Sequence, residues 1–212
     1  NMFDNEKPIM IFNIGAVGAG KSKLFKYVKQ LLYEKQHNEL DFNEFSIDNY
    51  VQSSNNYKEK VNTILSKYDL HSYNLKPKYL NNMKTDERRN LIHDMTDAYM
   101  SIKNIGPCNN NDNTNTESCR DKMMNDIKDK IENKEDIIIE INGKEIPHKY
   151  IDLDEDNDYN IVFTYSLVDY DKLKTRIYNR FISELNGYSF SQDTKKAPRL
   201  PSYEDEFLGS HV

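Results

Sequence analysis

The 212-residue sequence is poor in residues that mark several protein classes, with no tryptophan, two cysteines, six prolines and seven glycines. No apolar run approaches the length of a membrane-spanning helix, which argues against an integral helical membrane protein. Residues 1–7 lack the pattern of a secretory signal peptide. We therefore expect a soluble, cytoplasmic protein without a membrane partner.

The two cysteines, Cys108 and Cys119, flank an asparagine-rich stretch. Without neighbouring histidines they make a poor zinc site. In a reducing compartment they are expected to be free thiols. A mobile, asparagine-rich loop is predicted near 104–117.

The charge balance is acidic, with a formal net charge of -6. This balance argues against a broad nucleic-acid-binding surface, although a basic cleft stays compatible with it. Nucleic acid is therefore not expected as a partner, and a protein partner is left open.

One segment has a specific chemical signature, because residues 15–22 match G-x-x-x-x-G-K-[ST], the phosphate-binding P-loop motif. Glycines permit positive φ angles that turn successive N–H groups into one concavity, and a following helix adds partial positive charge. The lysine would reach the β- and γ-phosphates of ATP, and the serine hydroxyl would bind Mg²⁺. The predicted nucleotide-binding residues are Gly15, Ala16, Val17, Gly18, Ala19, Gly20, Lys21 and Ser22.

The surrounding pattern supports this motif. An apolar run at 9–14 predicts a buried strand before it, and apolar residues at helical spacing from Leu24 to Leu32 predict a helix after it. Further strands are predicted near 42–47, 137–141 and 159–165, and further helices near 57–68, 85–102, 118–133 and 169–185. Residues 71–82 are predicted to be irregular, with Pro77 as a breaker. The alternation predicts an α/β, three-layer P-loop NTPase fold with a mainly parallel sheet flanked by helices. We expect a single domain over 1–212, with a loop-rich tail at 186–212.

Asp48 closes the second predicted strand. Functional groups of open parallel sheets collect where strands end, so this carboxylate is a candidate general base for a substrate hydroxyl. A place in the Mg²⁺ shell, or a helix-cap or turn role, are the alternatives. Glu140 interrupts the isoleucine run at 137–141 and is predicted to face a substrate cleft rather than solvent at a sheet edge.

A basic stripe is predicted on the last helix, where Lys172, Arg176 and Arg180 recur every four residues. Such cations can neutralise the charge of a migrating phosphoryl group, and a solvated helix face is the alternative. Two other patterns are set aside. Residues 133–136 spell N-K-x-D but precede a strand, unlike the motif in GTPases, and 152–158 lacks the glycine and bidentate glutamate of an EF-hand.

Together these segments resemble the zeta-toxin-like P-loop kinases, in a divergent form. The resemblance rests on residues 15–22, on SIDNYV at 46–51, on IIEING at 138–143, and on Arg176 and Arg180. It implies phosphorylation, by ATP and Mg²⁺, of a hydroxyl on a small molecule, which in the toxins is a UDP-N-acetylhexosamine. Asp48 would be the base, Lys21 and the two arginines would complete the catalytic set, and Glu140 and Asn142 would bind the substrate.

The sequence departs from the family pattern at three positions. Ile141 and Asn142 stand where threonines are expected, and Val17 stands where proline is frequent. The first departure alters the expected contacts to the substrate hydroxyl. The alternatives are a kinase of nucleosides or of polynucleotide 5′-hydroxyls, and a non-catalytic nucleotide-binding switch.

Overall fold

The structure is a computed structural model that describes residues 7–16, 18–36, 41–71, 74–109, 116–142, 147–190 and 196–201. The strands within these ranges are β1 (Ile9–Gly15), β2 (Asn43–Ser46), β3 (Ile137–Ile141) and β4 (Asn160–Ser166). The helices are α1 (Lys21–Gln36), α2 (Ile47–Ser53), α3 (Asn55–Lys67), α4 (Lys78–Asn82), α5 (Thr85–Asn104), α6 (Cys119–Glu132), α7 (His148–Ile151) and α8 (Tyr170–Phe190).

The four described strands form one parallel sheet in the order β2-β3-β1-β4. Every residue of β1 is buried, as expected for a central strand whose sequence is almost entirely apolar. Because all four strands run in the same direction, their carboxyl ends lie at one edge of the sheet. The predicted α/β class, with a parallel sheet flanked by helices, is confirmed.

The two faces of the sheet are covered differently. The face that carries Ile9 and Ile11 packs against α1 through Phe25 and Leu32, and we call it the α1 face. Side chains alternate along a strand, so Phe12 points to the opposite face. There its ring lies 5.4 Å from that of Phe163 and 6.2 Å from that of Tyr150 in α7.

The chain divides into two compact units. The first contains the described residues of 1–46 and 123–169, and so holds the sheet, α1 and α7. The second contains those of 47–122 and 170–205, with α2 to α5 and α8. The prediction of a single domain over 1–212 stays a prediction.

The second unit is built around a helical core. Tyr57 of α3 is fully buried and meets Tyr99 of α5 edge-to-face, with ring centroids 6.2 Å apart. Ser54 caps α3 by accepting a hydrogen bond from the N–H of Tyr57. Burial raises the pKa of the Tyr57 phenol far above its usual range, so the hydroxyl remains a donor and reaches the carbonyl of Pro198 at 3.0 Å.

Four sequence predictions need correction. Cys108 and Cys119 are not free thiols but form a disulfide, with Cα atoms 4.7 Å apart. The second strand ends at Ser46, so Asp48 lies in the first turn of α2 instead of closing a strand. Helix α8 continues to Phe190, so the predicted loop-rich tail does not begin at 186. A short helix, α4, occupies the end of the segment 71–82, which was expected to be irregular.

The acidic residues 152–158 lie in a turn whose geometry explains one of its aspartates. Asp154 is buried and accepts hydrogen bonds from the N–H groups of Asp158 and Tyr159 at 2.9 and 3.1 Å. Its role is therefore to hold the turn that leads into β4. The asparagine-rich residues 110–115 lie outside the described residues. Among the helices described, none is both long and apolar enough to cross a membrane.

Candidate functional site

The glycine-rich loop connects the carboxyl end of β1 to the start of α1. Gly18 and Gly20 have φ angles of 80° and 91°, a region that side chains with a Cβ rarely adopt. The N–H of Ala19 donates to the carbonyl of Ala16 at 3.0 Å, which closes a tight turn. Gly20 immediately precedes α1, and its carbonyl accepts from the N–H groups of Lys23 and Leu24 at 3.0 and 3.2 Å.

The first glycine is required by a close approach. A Cβ added at Gly15 would lie 2.8 Å from the carbonyl oxygen of Ser166 on β4, closer than real Cβ contacts come. Gly15 and Ser166 are paired in the register of the sheet. The loop therefore leaves the sheet at a position where β1 and β4 are too close for a Cβ.

Lys21 folds back over the loop. Its Nζ atom donates to the carbonyls of Gly15 and Ala16 at 2.7 and 3.2 Å. The ammonium group thus lies against the first two carbonyls of the loop, and the first N–H groups of the helix that follows have no intrahelical acceptors. Val17 and the side chain of Ser22 lie outside the described residues. The predicted contact of Ser22 with Mg²⁺ therefore stays a prediction.

A row of polar residues crosses the sheet next to the loop. Asn13 is paired with Glu140 on one side and with Thr164 on the other, and Glu140 is paired with Ser46. The preceding row, Phe45, Ile139, Phe12 and Phe163, is entirely apolar. The polar row therefore lies near the carboxyl ends of the strands, and because residues in register share a face, it lies on the α1 face.

Two predicted substrate residues lie at this edge. Glu140 is partly buried in a row beside the fully buried Asn13, so it does not lie on an exposed edge strand. Asn142 follows β3 directly and is partly buried. Both belong to the unit that contains the loop. Their contacts with a substrate stay predictions.

The other predicted catalytic residues belong to the second unit. Asp48 accepts hydrogen bonds from Arg199 Nη1 and from the hydroxyl of Tyr99, both at 2.5 Å. The side chain of Arg199 is 8% exposed and that of Asp48 is 21% exposed. The guanidinium also lies 4.3 Å from the centre of the Tyr99 ring, so one buried cation holds both partners.

The two predicted arginines differ in their surroundings. Arg180 donates through Nε to Glu184 at 2.6 Å, one turn further along α8, while Arg176 is exposed. Glu184 also accepts from Gln52 at 3.2 Å and from the backbone N–H of Arg199 at 3.2 Å. Arg180 is therefore part of a network between α8, α2 and residues 196–201.

Residues 196, 197 and 199 are hydrogen-bonded to α2. Lys196 donates to Asn49 at 2.6 Å, and Gln52 exchanges hydrogen bonds with the backbone of Ala197, donating at 2.9 Å and accepting at 2.8 Å. Sequence reasoning missed Arg199, Glu184 and Tyr99, because they meet Asp48 and Gln52 only in the folded chain. It also missed Asn13, although a lone amide in the apolar run at 9–14 was a visible signal.

Among the described residues, no group of three or more histidines, cysteines or acidic residues is placed to hold a metal ion. The arrangement in the first unit offers instead a cation and backbone donors around a turn, which is chemistry suited to an anion. Comparison of the chain with protein-family models, with curated proteins and with solved structures finds no match in any of the three.

Proposed function

We propose that the first unit binds a nucleoside triphosphate through residues 15–22 and that the protein transfers its terminal phosphoryl group to a hydroxyl of a small molecule. The observation that supports this proposal best is the position of Lys21, whose Nζ contacts the carbonyls of Gly15 and Ala16 across the turn. A cation held in that position, next to a helix start and two glycines at positive φ, suits a polyphosphate.

The residues present fit the triphosphate of ATP. The loop offers backbone N–H groups, Lys21 offers a point charge, and Ser22 at the second position of α1 is the proposed Mg²⁺ ligand. ATP supplies the phosphoryl group for transfer. Lys21 would exchange its contacts with neutral backbone carbonyls for stronger contacts with the negatively charged β- and γ-phosphates.

The finer fold is part of the same proposal. A P-loop NTPase fold is supported by a loop that joins the central strand β1 to α1 at the carboxyl edge of a parallel sheet. Membership of the zeta-toxin-like kinases is proposed on the motifs alone. In that family the strand-end glutamate would bind the acceptor, so Glu140 and Asn142 are assigned to acceptor binding.

Asp48, Arg176 and Arg180 keep their proposed roles as the base and the neutralising cations. Each is placed in the second unit, and Asp48 is held there by Arg199 and Tyr99. An arginine that donates to a carboxylate stabilises its charge and so opposes proton uptake. Phosphoryl transfer through Asp48 therefore requires that the contact with Arg199 be loosened during the reaction.

This requirement favours a second candidate function, a nucleotide-binding protein that does not transfer phosphate. The two candidates share the loop and differ at Asp48. Asp48→Asn keeps the size of the side chain but removes the base. For a kinase it should lower the transfer rate by about 10²–10⁴ while ATP binding survives.

The experiment is a calorimetric titration with Mg-ATP, paired with a transfer assay that uses labelled ATP and a panel of nucleosides, UDP-sugars and oligonucleotides. Lys21→Ala should abolish binding or weaken it by at least roughly tenfold, because a charge-assisted contact contributes about 1.5–3 kcal/mol. Lys26→Ala, on an exposed position of the same helix, is the matched control and should bind like wild type. Equal binding by Lys21→Ala and wild type would contradict the nucleotide site.

The panel separates the remaining alternatives. The net charge of -6 favours a small acceptor over a polymer, so transfer to a nucleoside or a UDP-sugar is expected. Transfer to an oligonucleotide would establish the polynucleotide alternative. Binding without transfer to any acceptor would favour the non-catalytic candidate.

A further inference from the structure

Asn13 is an unusual residue for its position. It is fully buried in the middle of the sheet, between Ile11 and the loop, on the face that packs against α1. Burying an amide is unfavourable unless its polar atoms are hydrogen-bonded, and an aliphatic side chain of similar size would fill the same space without that requirement. Packing alone therefore does not explain why an amide occupies this position.

Its hydrogen bonds are directed at the helix start. Asn13 Nδ2 donates to the backbone carbonyl of Lys21 at 3.1 Å. A carbonyl can only accept, so the orientation of the amide is fixed and Oδ1 faces β4. There Oδ1 accepts from the hydroxyl of Thr164 at 3.0 Å. Thr164, Asn13 and Lys21 thus form one chain of hydrogen bonds from β4 through β1 to the first residue of α1.

We propose that Asn13 is a positioning residue for the phosphate site, and that Thr164 orients it. The pair fixes the backbone of Lys21, from which both the ammonium group and the first N–H groups of α1 are presented. This inference rests on the proposed function, since a positioned loop matters only if the loop binds phosphate. Preorganised donors bind an anion more tightly because less ordering is needed on binding.

Three variants test the pair, since the most direct one risks misfolding. Asn13→Leu removes both hydrogen bonds but leaves the carbonyl of Lys21 and the hydroxyl of Thr164 without this partner. Thr164→Val removes only the hydroxyl and keeps the shape of the side chain, and Thr164→Ser keeps the hydroxyl. The matched control is Tyr159→Phe, at the residue just before the amino end of β4. This change removes a hydroxyl that donates to the carbonyl of Glu135 at 2.8 Å.

The first measurement is amide hydrogen exchange without nucleotide, read at the N–H groups of Lys23 and Leu24 in the first turn of α1. Thr164→Val should accelerate exchange there by about fivefold, the change expected for one hydrogen bond. Thr164→Ser should exchange like wild type, and Tyr159→Phe should leave this turn unchanged. Equal acceleration by Thr164→Val and Tyr159→Phe would mean a general loss of stability and would overturn the assignment.

The second measurement is the affinity for Mg-ATP and for tripolyphosphate, which share the phosphate chain. Thr164→Val should weaken both by about fivefold and Asn13→Leu by roughly tenfold, while Tyr159→Phe binds like wild type. If Lys21→Ala loses affinity but Thr164→Val does not, the role of Asn13 is wrong and the proposed function survives. If wild type binds neither ligand, the proposed function itself fails, and with it the purpose assigned to Asn13.

Discussion

The loop in the first unit and the Asp48 cluster in the second satisfy their polar groups in opposite ways. The loop is made of consecutive residues, 15–22, and its contacts are mainly backbone turns whose donors and cation can be redirected to a ligand. The Asp48 cluster joins side chains from positions 48, 99 and 199, and its charges already neutralise each other. The first arrangement suits binding, whereas the second stabilises its own unit.

This difference predicts where substitutions act. Changes in the loop should alter ligand affinity, with smaller effects on the free energy of unfolding. Changes in the cluster should alter the free energy of unfolding first. In a kinase that uses Asp48 as its base, this residue would both stabilise the second unit and take part in the reaction. Measurements of the free energy of unfolding and of the phosphoryl-transfer rate on the same variants therefore test whether the loop and the Asp48 cluster differ in this way.

The largest effect on stability is expected for Asp48→Ala. The change removes the carboxylate that the buried guanidinium of Arg199 contacts, and loss of one partner of a buried ion pair costs about 3 kcal/mol. The free energy of unfolding from urea titration measures this cost. Asp48→Ala/Arg199→Met removes both charges and should recover part of the loss.

The control for this prediction is the more exposed pair of Lys67 and Asp94, whose side chains are 60% and 26% exposed. Lys67→Ala should lower the free energy of unfolding far less than Asp48→Ala does. If the two variants are equally stable, the Asp48 cluster is not a stabilising element, and the contrast between the two regions is wrong.

The contrast also explains what could be predicted from the sequence. The strand, loop and helix of residues 9–36 follow from local spacing, because apolar periodicity and glycine positions act over a few residues. Asp48 was placed at a strand end because Phe45 and Ile47 alternate with polar residues, yet Ile47 already begins α2. Tertiary packing decided between a strand and a helix at this position, and a short local pattern carries no information about tertiary packing.

Contacts between positions that meet only in the folded chain could not be predicted from the sequence, for the same reason. Arg199 lies 151 positions from Asp48, in a segment expected to be loop, and nothing in its neighbours indicates an ionic partner. Cys108 and Cys119 are only 11 positions apart, but their pairing depends on how the chain returns after α5. The polar row across the sheet needed the register of all four strands, since Asn13, Glu140 and Thr164 are far apart in the sequence.

A second prediction compares two glycines of the loop. Gly15→Ala places a Cβ 2.8 Å from the carbonyl oxygen of Ser166, so β1 or β4 must shift, at a cost of about 2 kcal/mol. At Gly20 no atom lies within 4 Å of an added Cβ, but φ is +91°, so Gly20→Ala should cost only about 1 kcal/mol through backbone strain.

The affinity of the same two variants for Mg-ATP tests whether the loop acts mainly in ligand binding. Both should bind Mg-ATP less tightly than wild type, because each alters the path of the loop. Thermal or urea unfolding gives the stability, and calorimetry gives the affinity. A Gly15→Ala protein with unchanged stability would mean that the strands separate freely at Ser166, contrary to the close packing of this pair.

The smallest effect is expected at an ion pair in the first unit that is formed by residues close in sequence. Hydrogen bonds from Lys130 and then from Asn43 hold the pKa of Glu135 below its ordinary value of 4.5. A carboxylate whose pKa is lower in the folded state stabilises the protein above its unfolded pKa, and this contribution disappears as the pH falls through the folded pKa. Wild type should therefore lose stability on acidification below about pH 4.5.

Glu135→Gln should be slightly less stable than wild type near neutral pH and should lose less on acidification, so the two urea-unfolding curves converge. Glu59→Gln, on the exposed face of α3, is the control and should follow wild type over the same range. Parallel curves for Glu135→Gln and wild type would mean that this local pair contributes nothing. The long-range Asp48 cluster would then differ from it in kind as well as in size.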